Sequence, residues 1–299
     1  MVVTAFAAAK VNLYLHVSGR RPDGYHLLDS LVAFADISDR VTAEPAAMLS
    51  LTVGGPEAAS LAGISEDNLV LRAARLLVGC TGTDRGAALF LEKNLPVAAG
   101  IGGGSSDAAA ALRALIALWQ LSIGEGALRD LGARLGADLP ACLYGRAVWV
   151  GGIGERIEPA PDLPEAGILL ANPRKELPTA AVFAARKGPF GQAGRFAPIP
   201  EDAIGLARAL GSRRNDLTDA AIGLVPEIGA VLVRLARLPG ALVARMSGSG
   251  PTCFALFRDR GAAEEARVAL AAAEPQWWCA AGDLVRGEVV AGQAPRIPG

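Results

Sequence analysis

The sequence predicts a mixed α+β fold in two domains, on three observations. The chain has 299 residues, and at about 100–200 residues per domain that length suggests two domains or one large one. Its first half opens on a strictly alternating apolar strand and continues into helices of amphipathic spacing. Its second half runs helix, strand, strand, helix, strand.

Composition narrows the class. Hydrophobic residues make up 52% and charged residues 20%, which excludes intrinsic disorder. With 29 Lys+Arg against 30 Asp+Glu the net charge is −1. No basic block is present, which argues against a nucleic-acid partner. Cys80, Cys142, Cys253 and Cys279 are far apart, and with two histidines in all, zinc-type spacing is absent. Isolated thiols suit a reducing, cytoplasmic setting. No apolar run approaches the roughly 20 residues needed to span a bilayer, so no membrane partner is expected. The first ten residues are too short for a signal core and lack a basic leader, so they read as an opening strand.

Each element follows in order. In residues 11–18, Val11, Leu13, Leu15 and Val17 point one way and Asn12, Tyr14 and His16 the other, predicting a half-buried strand with Lys10 on the polar face. A turn over 19–26 follows, rich in Gly, Pro and Asp. Strands are expected over 31–44 and 87–92, and a helix over 68–78. The segment 95–107 is a glycine loop running into a helix with apolar residues at 112, 115, 116 and 119; Ser105 or Ser106 is its expected N-cap and Asp107 suits its first turn. A helix over 125–135 is stopped by Gly136. The Gly/Pro-rich stretch 151–164 is the expected boundary, giving domains 1–157 and 158–299. Beyond it come a strand over 168–171, helices over 201–210 and 226–238, strands over 241–246 and 252–257, a helix over 262–273 and a strand over 276–281. That order is most of a ferredoxin-like split βαβ unit.

Four features could carry chemistry. Gly100, Gly102, Gly103 and Gly104 clear side chains from the backbone; alone they suit a flexible turn as well as a phosphate cradle, and the helix start behind them favours the cradle. The P-loop pattern is absent because no Lys follows the glycines. The Rossmann pattern fails because Ser105 stands at its sixth position, and no His-Arg-Asp or Asp-Phe-Gly is present. Lys10 is one of only four lysines; at the edge of an apolar strand it is either a point charge for phosphate or a snorkelling strand end. Asp138, in Gly136-Ala-Asp-Leu-Pro140, reads first as the N-cap of a short helix, with Lys10 as its natural partner if it is buried. Tyr25-His26 suits stacking on, and hydrogen bonding to, a base; it equally suits a turn with an apolar anchor.

These pieces, in this order, resemble the GHMP kinases, the small-molecule kinases of galactose, homoserine, mevalonate and phosphomevalonate type. The loop Pro96-Val-Ala-Ala-Gly-Ile-Gly-Gly-Gly-Ser-Ser-Asp107 is similar to the family's glycine motif. Within the family, Ala9-Lys10-Val-Asn12, Arg20-Arg-Pro-Asp-Gly-Tyr-His26, Gly136-Ala-Asp138-Leu-Pro140, Asn215-Asp216-Leu217 and Met246-Ser-Gly-Ser-Gly-Pro251 resemble the branch that acts on a cytidine-diphosphate-linked methylerythritol. The loop departs from the pattern at Val97, Ala98 and Ala99, and at Asp107 where Asn is common. Residues 186–200 match nothing clearly.

The resemblance implies a two-domain GHMP kinase fold, with an N-terminal domain like domain 2 of ribosomal protein S5 and a ferredoxin-like C-terminal domain. It implies phosphorylation of the methylerythritol 2-hydroxyl by ATP with Mg²⁺, in the methylerythritol phosphate route to isoprenoids, by a monomer or weak homodimer. Lys10 and Asp138 match the catalytic pair. Pro96, Val97, Ala98, Ala99, Gly100, Ile101, Gly102, Gly103, Gly104, Ser105 and Ser106 match the ATP loop, and Asn68, in Glu66-Asp-Asn-Leu, a residue near adenine. Tyr25 and Phe183 match aromatics that flank cytosine, His26 the residue that reads its edge, and Asn12 and Thr179 substrate-side polar groups. Amides of residues 102–106 are expected to hold the β- and γ-phosphates. A homoserine- or mevalonate-type kinase and a non-catalytic relative of the same fold are the rival readings.

Overall fold

The computed structural model describes residues 1–61 and 68–287. Glu66 and Asp67, which precede Asn68 in its motif, lie outside the described residues. The chain order is β1 (Val3–Arg20), β2 (His26–Ala46), β3 (Ser50–Gly54), α1 (Leu69–Thr81), β4 (Gly86–Glu92), α2 (Gly103–Trp119), α3 (Glu125–Ala133), α4 (Leu139–Tyr144), β5 (Val148–Gly152) and β6 (Arg156–Pro159). It continues with β7 (Gly167–Asn172), α5 (Thr179–Ala185), α6 (Ala203–Gly211), α7 (Thr218–Leu224), α8 (Glu227–Ala236), β8 (Val243–Met246), β9 (Cys253–Phe257), α9 (Arg260–Ala273) and β10 (Trp278–Asp283).

The first sheet has the order β3-β4-β2-β5-β6, with β1 paired to β2. Its pairs are antiparallel except β3 with β4. The second has the order β10-β7-β9-β8, all antiparallel. With α8 and α9 as its crossovers, this is the split βαβ arrangement expected from the sequence. The boundary expected at 157/158 falls inside β6, where Ile157 pairs Val150 and Glu158 pairs Trp149. The hand-over between sheets therefore lies between Pro159 and Gly167.

The opening segment and residues 11–18 form one strand, not two, because β1 pairs with β2 along its length from Val3↔Ala43 to Arg20↔His26, with register shifts at Ala8/Ala9, Asn12/Tyr14 and Val17/Gly19. The strand is not half-buried either. Tyr14 is fully buried, and Lys10 and Asn12 are each 5% exposed. Its first part, Val3 to Ala8, packs in the helical half of the core, while Ala9, Val11, Leu13 and Tyr14 share a core with Ile168, Leu170 and Phe254 of the second half. A strand between two layers has no solvent face, so its polar residues need partners inside.

Helix α2 is apolar nearly all round, with Ala108 to Ala111 fully buried, as a central helix should be. Its N-cap is Gly102 in the left-handed region (φ 66°), with no side-chain cap. The predicted serine caps are thus displaced: the helix already includes Gly103 and Gly104. Ser106 turns inward instead, its hydroxyl donating to Ala8 O at 2.8 Å. Asp107 lies beyond the first turn and is buried.

Candidate active site

A cleft of about 1020 Å³ runs between the two halves. Loop residues 98–100 and 102–105 form one wall, and Lys10 and Asn12 of β1 lie at its base. Tyr25 and His26, Thr179 and Phe183 of α5, and Gly248 and Ser249 complete it.

The glycine loop is held from both sides. Lys10 N donates to Ile101 O at 2.9 Å. A Cβ on Gly102 would come within 3.0 Å of Lys10 Cβ, so a side chain there would push the loop off the strand. On the other side, Thr252 N donates to Ala99 O at 3.2 Å and Ser247 Oγ to Gly100 O at 3.2 Å. Gly100 (φ +72°) packs so closely on Gly250 that a Cβ would collide with the Gly250 carbonyl. The turn 247–251 is itself fixed by Asn215, whose Nδ2 donates to Met246 O and Gly248 O, both at 2.8 Å.

At the mouth of α2, Ser106 N is already bonded to Gly102 O at 2.8 Å. Of residues 102–106, Gly102, Gly103, Gly104 and Ser105 line the cleft, and Ser106, whose amide is committed, does not. Uncapped N–H groups at a helix N-terminus favour an anion. Of the two serines, Ser105 lines the cleft and Ser106 is committed to Ala8.

Opposite these amides, Lys10 Nζ donates to Asp138 Oδ1 at 3.0 Å. The lysine side chain is 7% exposed and the aspartate 55%. Asp138 occupies the N-cap position of α4, but its side chain caps nothing there. The capping reading gives way because the Lys10 ammonium offers a charge-assisted bond.

Asn12 is held by two contacts: Nδ2 donates to Ser30 Oγ at 2.8 Å, and its backbone N to Ser247 Oγ at 3.1 Å. Its Oδ1 is buried with no partner, so an acceptor is left over at the cleft floor. Thr179 Oγ1 and Ser249 Oγ are 2.9 Å apart. The His26 and Phe183 rings lie 5.3 Å apart at 30°, and Tyr25 is 60% exposed. Burial, then the positive charges of Arg20 and Arg186, hold the His26 imidazolium below its ordinary pKa.

Not every expected residue reaches the cleft. Pro96 and Ile101 are buried beneath the loop and Val97 faces outward. Asn68 caps α1, its Oδ1 accepting from Val70 N at 2.9 Å, while the adjacent Leu69 lines the cleft.

One cluster was not singled out from the sequence. Lys93, 2% exposed, lies between Asp39 and Asp107 beneath the loop, donating to Asp107 Oδ2 at 2.9 Å and to Asp39 Oδ2. Asp39 Oδ1 also accepts from Leu95 N at 2.8 Å. Burial lowers the Lys93 pKa, but Asp107 and Asp39 raise it more, so it ends above its ordinary value. Asp107 is raised well above the usual carboxylate range by burial; Lys93 opposes the rise and Asp39 adds to it. The scarcity of lysine was the signal available, but nothing local marks position 93 as buried.

Among the described residues no helix is long and apolar enough to cross a membrane, and all four cysteines are free thiols.

Comparison with known proteins agrees with this geometry. The family model for the GHMP kinases N terminal domain matches residues 68–146, and that for the GHMP kinases C terminal matches residues 200–276. The chain is 51% identical over 279 residues to a 4-diphosphocytidyl-2-C-methyl-D-erythritol kinase of Paramagnetospirillum magneticum, covering 93% of this chain and 97% of that protein. It is 53% identical over 291 residues to the kinase of the same name from Cereibacter sphaeroides, covering 94% and 99%. A crystal structure of 4-(cytidine 5'-diphospho)-2C-methyl-D-erythritol kinase superposes with a TM-score of 0.77 at 37% identity, covering 94% of this chain and 98% of that one. A homoserine kinase from Cytophaga hutchinsonii shares the fold at a TM-score of 0.74 and 18% identity, covering 97% and 96%. The chain belongs to the GHMP kinases, within the family of the 4-diphosphocytidyl-2-C-methyl-D-erythritol kinases.

Proposed function

We infer that this chain is an ATP-dependent kinase that phosphorylates the 2-hydroxyl of 4-diphosphocytidyl-2-C-methyl-D-erythritol, in the methylerythritol phosphate pathway to isoprenoid precursors. The observation that carries the reading is the Lys10–Asp138 pair facing the uncapped amides of α2 across one cleft.

Phosphoryl transfer asks mainly for positioning and for stabilisation of spread negative charge. The amides of Gly103, Gly104 and Ser105 would hold the β- and γ-phosphates. Asp138 would accept the acceptor hydroxyl's proton, and the Lys10 ammonium would oppose charge growing on the attacking oxygen. The unpartnered Asn12 Oδ1 would accept a hydrogen bond from a substrate hydroxyl. Tyr25 and Phe183 would flank the cytosine and His26 would read its edge.

Magnesium ion keeps several waters and binds largely through substrate phosphates. The donors present fit that habit: Ser105 offers one hard oxygen at the cleft, and among the described residues no three carboxylate, imidazole or thiol side chains converge as a cage. The Ser105 hydroxyl would hold Mg²⁺, which when bound supplies charge neutralisation at the phosphates.

We place the domain division between Pro159 and Gly167, and the enzyme in the cytoplasm as a monomer or weak homodimer without nucleic-acid or membrane partners. Support for the compartment comes from the four free thiols.

ADP release over a panel of diphosphocytidyl-methylerythritol, homoserine and mevalonate tests the function. Turnover of the first alone is expected. Turnover of another panel member, or nucleotide binding with no turnover, would displace the reading.

A further inference from the structure

A second cavity, of about 460 Å³, has five basic residues in its lining: Arg186, Lys187, Arg213, Arg214 and Arg245. Two carboxylates share it, Asp216 and Asp219. Asp216 is spent on Arg214 in an ion pair, whereas Asp219, exposed, only adds to the field at the same guanidinium, so the lining carries five cations against two carboxylates. Asp216 also accepts from Val17 N at 2.8 Å. Among the described residues Arg186, Lys187, Arg213 and Arg245 form no ion pair.

The other three arginines are fixed by carbonyl oxygens, which satisfy N–H groups without cancelling charge. Arg245, 8% exposed, donates to Leu13 O at 2.6 Å, Leu210 O at 3.0 Å and Arg213 O at 2.7 Å. Arg213 donates to Gly194 O and Ala209 O. Arg186 donates to Gly188 O at 3.3 Å and Pro189 O at 2.6 Å, leaving its Nε buried without a partner. Burial, and to a lesser degree the charge of Arg213, pushes Arg245 down to about 10.

We propose that this cavity is an anion-binding site, separate from the nucleotide cleft, for a phosphate-type ion carrying two or more negative charges. Four unpaired cations, at least three of them positioned by carbonyl bonds in advance, meet the condition for a preorganised oxyanion site. The guanidinium fork matches phosphate oxygens, and confinement keeps the field from being fully screened. The cavity also shares a wall with the cleft. Asn215 lines it and holds the Met246 and Gly248 carbonyls of the turn that bears Gly248 and Ser249.

Calorimetric titration of the whole protein with inorganic pyrophosphate tests this, with the nucleotide site first saturated by a non-hydrolysable ATP analogue. The analogue's own titration, run beforehand, tests the nucleotide reading separately. One saturable pyrophosphate site is expected, weakened by about tenfold or more in Lys187→Gln and further in Arg186→Gln/Lys187→Gln, as loss of charge-assisted bonds requires. Lys187 is exposed, so the single variant keeps the fold. Citrate, titrated in parallel, is expected to bind at least about tenfold more weakly than pyrophosphate. Absence of saturable binding, unchanged affinity in Lys187→Gln and the double variant, or citrate binding as tight as pyrophosphate would each overturn the proposal.

Discussion

Lys10 Nζ lies 3.0 Å from Asp138 Oδ1 although 128 positions separate the two residues. One comes from a buried strand and the other from the cap of a six-residue helix. Burial of the lysine fixes the ammonium, while the half-exposed carboxylate stays within reach of an incoming alcohol. Asp138→Asn keeps the shape and removes the proton acceptor. A fall in kcat of about 10²–10⁴ is expected, with little change in KM for either substrate. A folded variant with near-normal kcat would remove Asp138 from that role.

Tyr25 presents an exposed ring to the cleft. Stacking contributes equally to ground and transition states, so its loss is felt as binding. Tyr25→Ala should raise KM for the cytidine substrate and leave KM for ATP unchanged. Equal changes in both would indicate a collapsed loop.

Gly100 has positive φ and no room for a Cβ against the Gly250 carbonyl. Gly100→Ala must strain the backbone and part the glycine loop from the turn 247–251. A loss of stability of about 1–3 kcal/mol, measured by urea unfolding, should accompany a raised KM for ATP. Wild-type stability in this variant would show that the two segments are not packed as described.

Asp107 is held above the usual carboxylate range by burial. A raised native pKa means the folded state favours the proton. The stability this gives is present below the unfolded value and is lost as pH rises through the native one. Asp107→Asn removes that dependence. Unfolding free energies measured from pH 4 to pH 8 should therefore shift in favour of the variant as pH rises; a gap constant with pH would contradict the assignment.

His26 is depressed by burial, Arg20 and Arg186, so its ring stays neutral to a pH below the ordinary value of about 6.5. If the neutral ring reads cytosine, kcat/KM should fall on the acid side only below that value. His26→Gln should lower kcat/KM and flatten this limb. An acid limb unchanged in the variant would assign it to another group.

The fold class and the ferredoxin-like order were legible because 226–238 and 262–273 keep helical spacing and 241–246 and 252–257 read as short apolar strands. The glycine loop was legible as a loop running into a helix, since clustered glycines precede the helical spacing at 112, 115, 116 and 119. The α2 cap was not: whether Ser105 or Gly102 ends the loop depends on how Gly102 packs on Lys10. Alternation at 11–17 marked β1 as a strand but showed neither the register shift between Asn12 and Tyr14 nor what covers its polar side. Val11, Leu13 and Tyr14 are covered by Ile168, Leu170 and Phe254, which lie more than 150 residues along the chain.

By itself, the sequence determined residue types, their local periodicity and the motifs that mark a phosphate-binding kinase. Only the tertiary structure decided that Lys93 is buried between Asp39 and Asp107, that Ser106 serves Ala8 while Ser105 faces the cleft, and that Asp138 meets Lys10 rather than capping α4. Local propensity acts over a few residues. Desolvation and charge pairing act between whatever residues the packed sheets bring together.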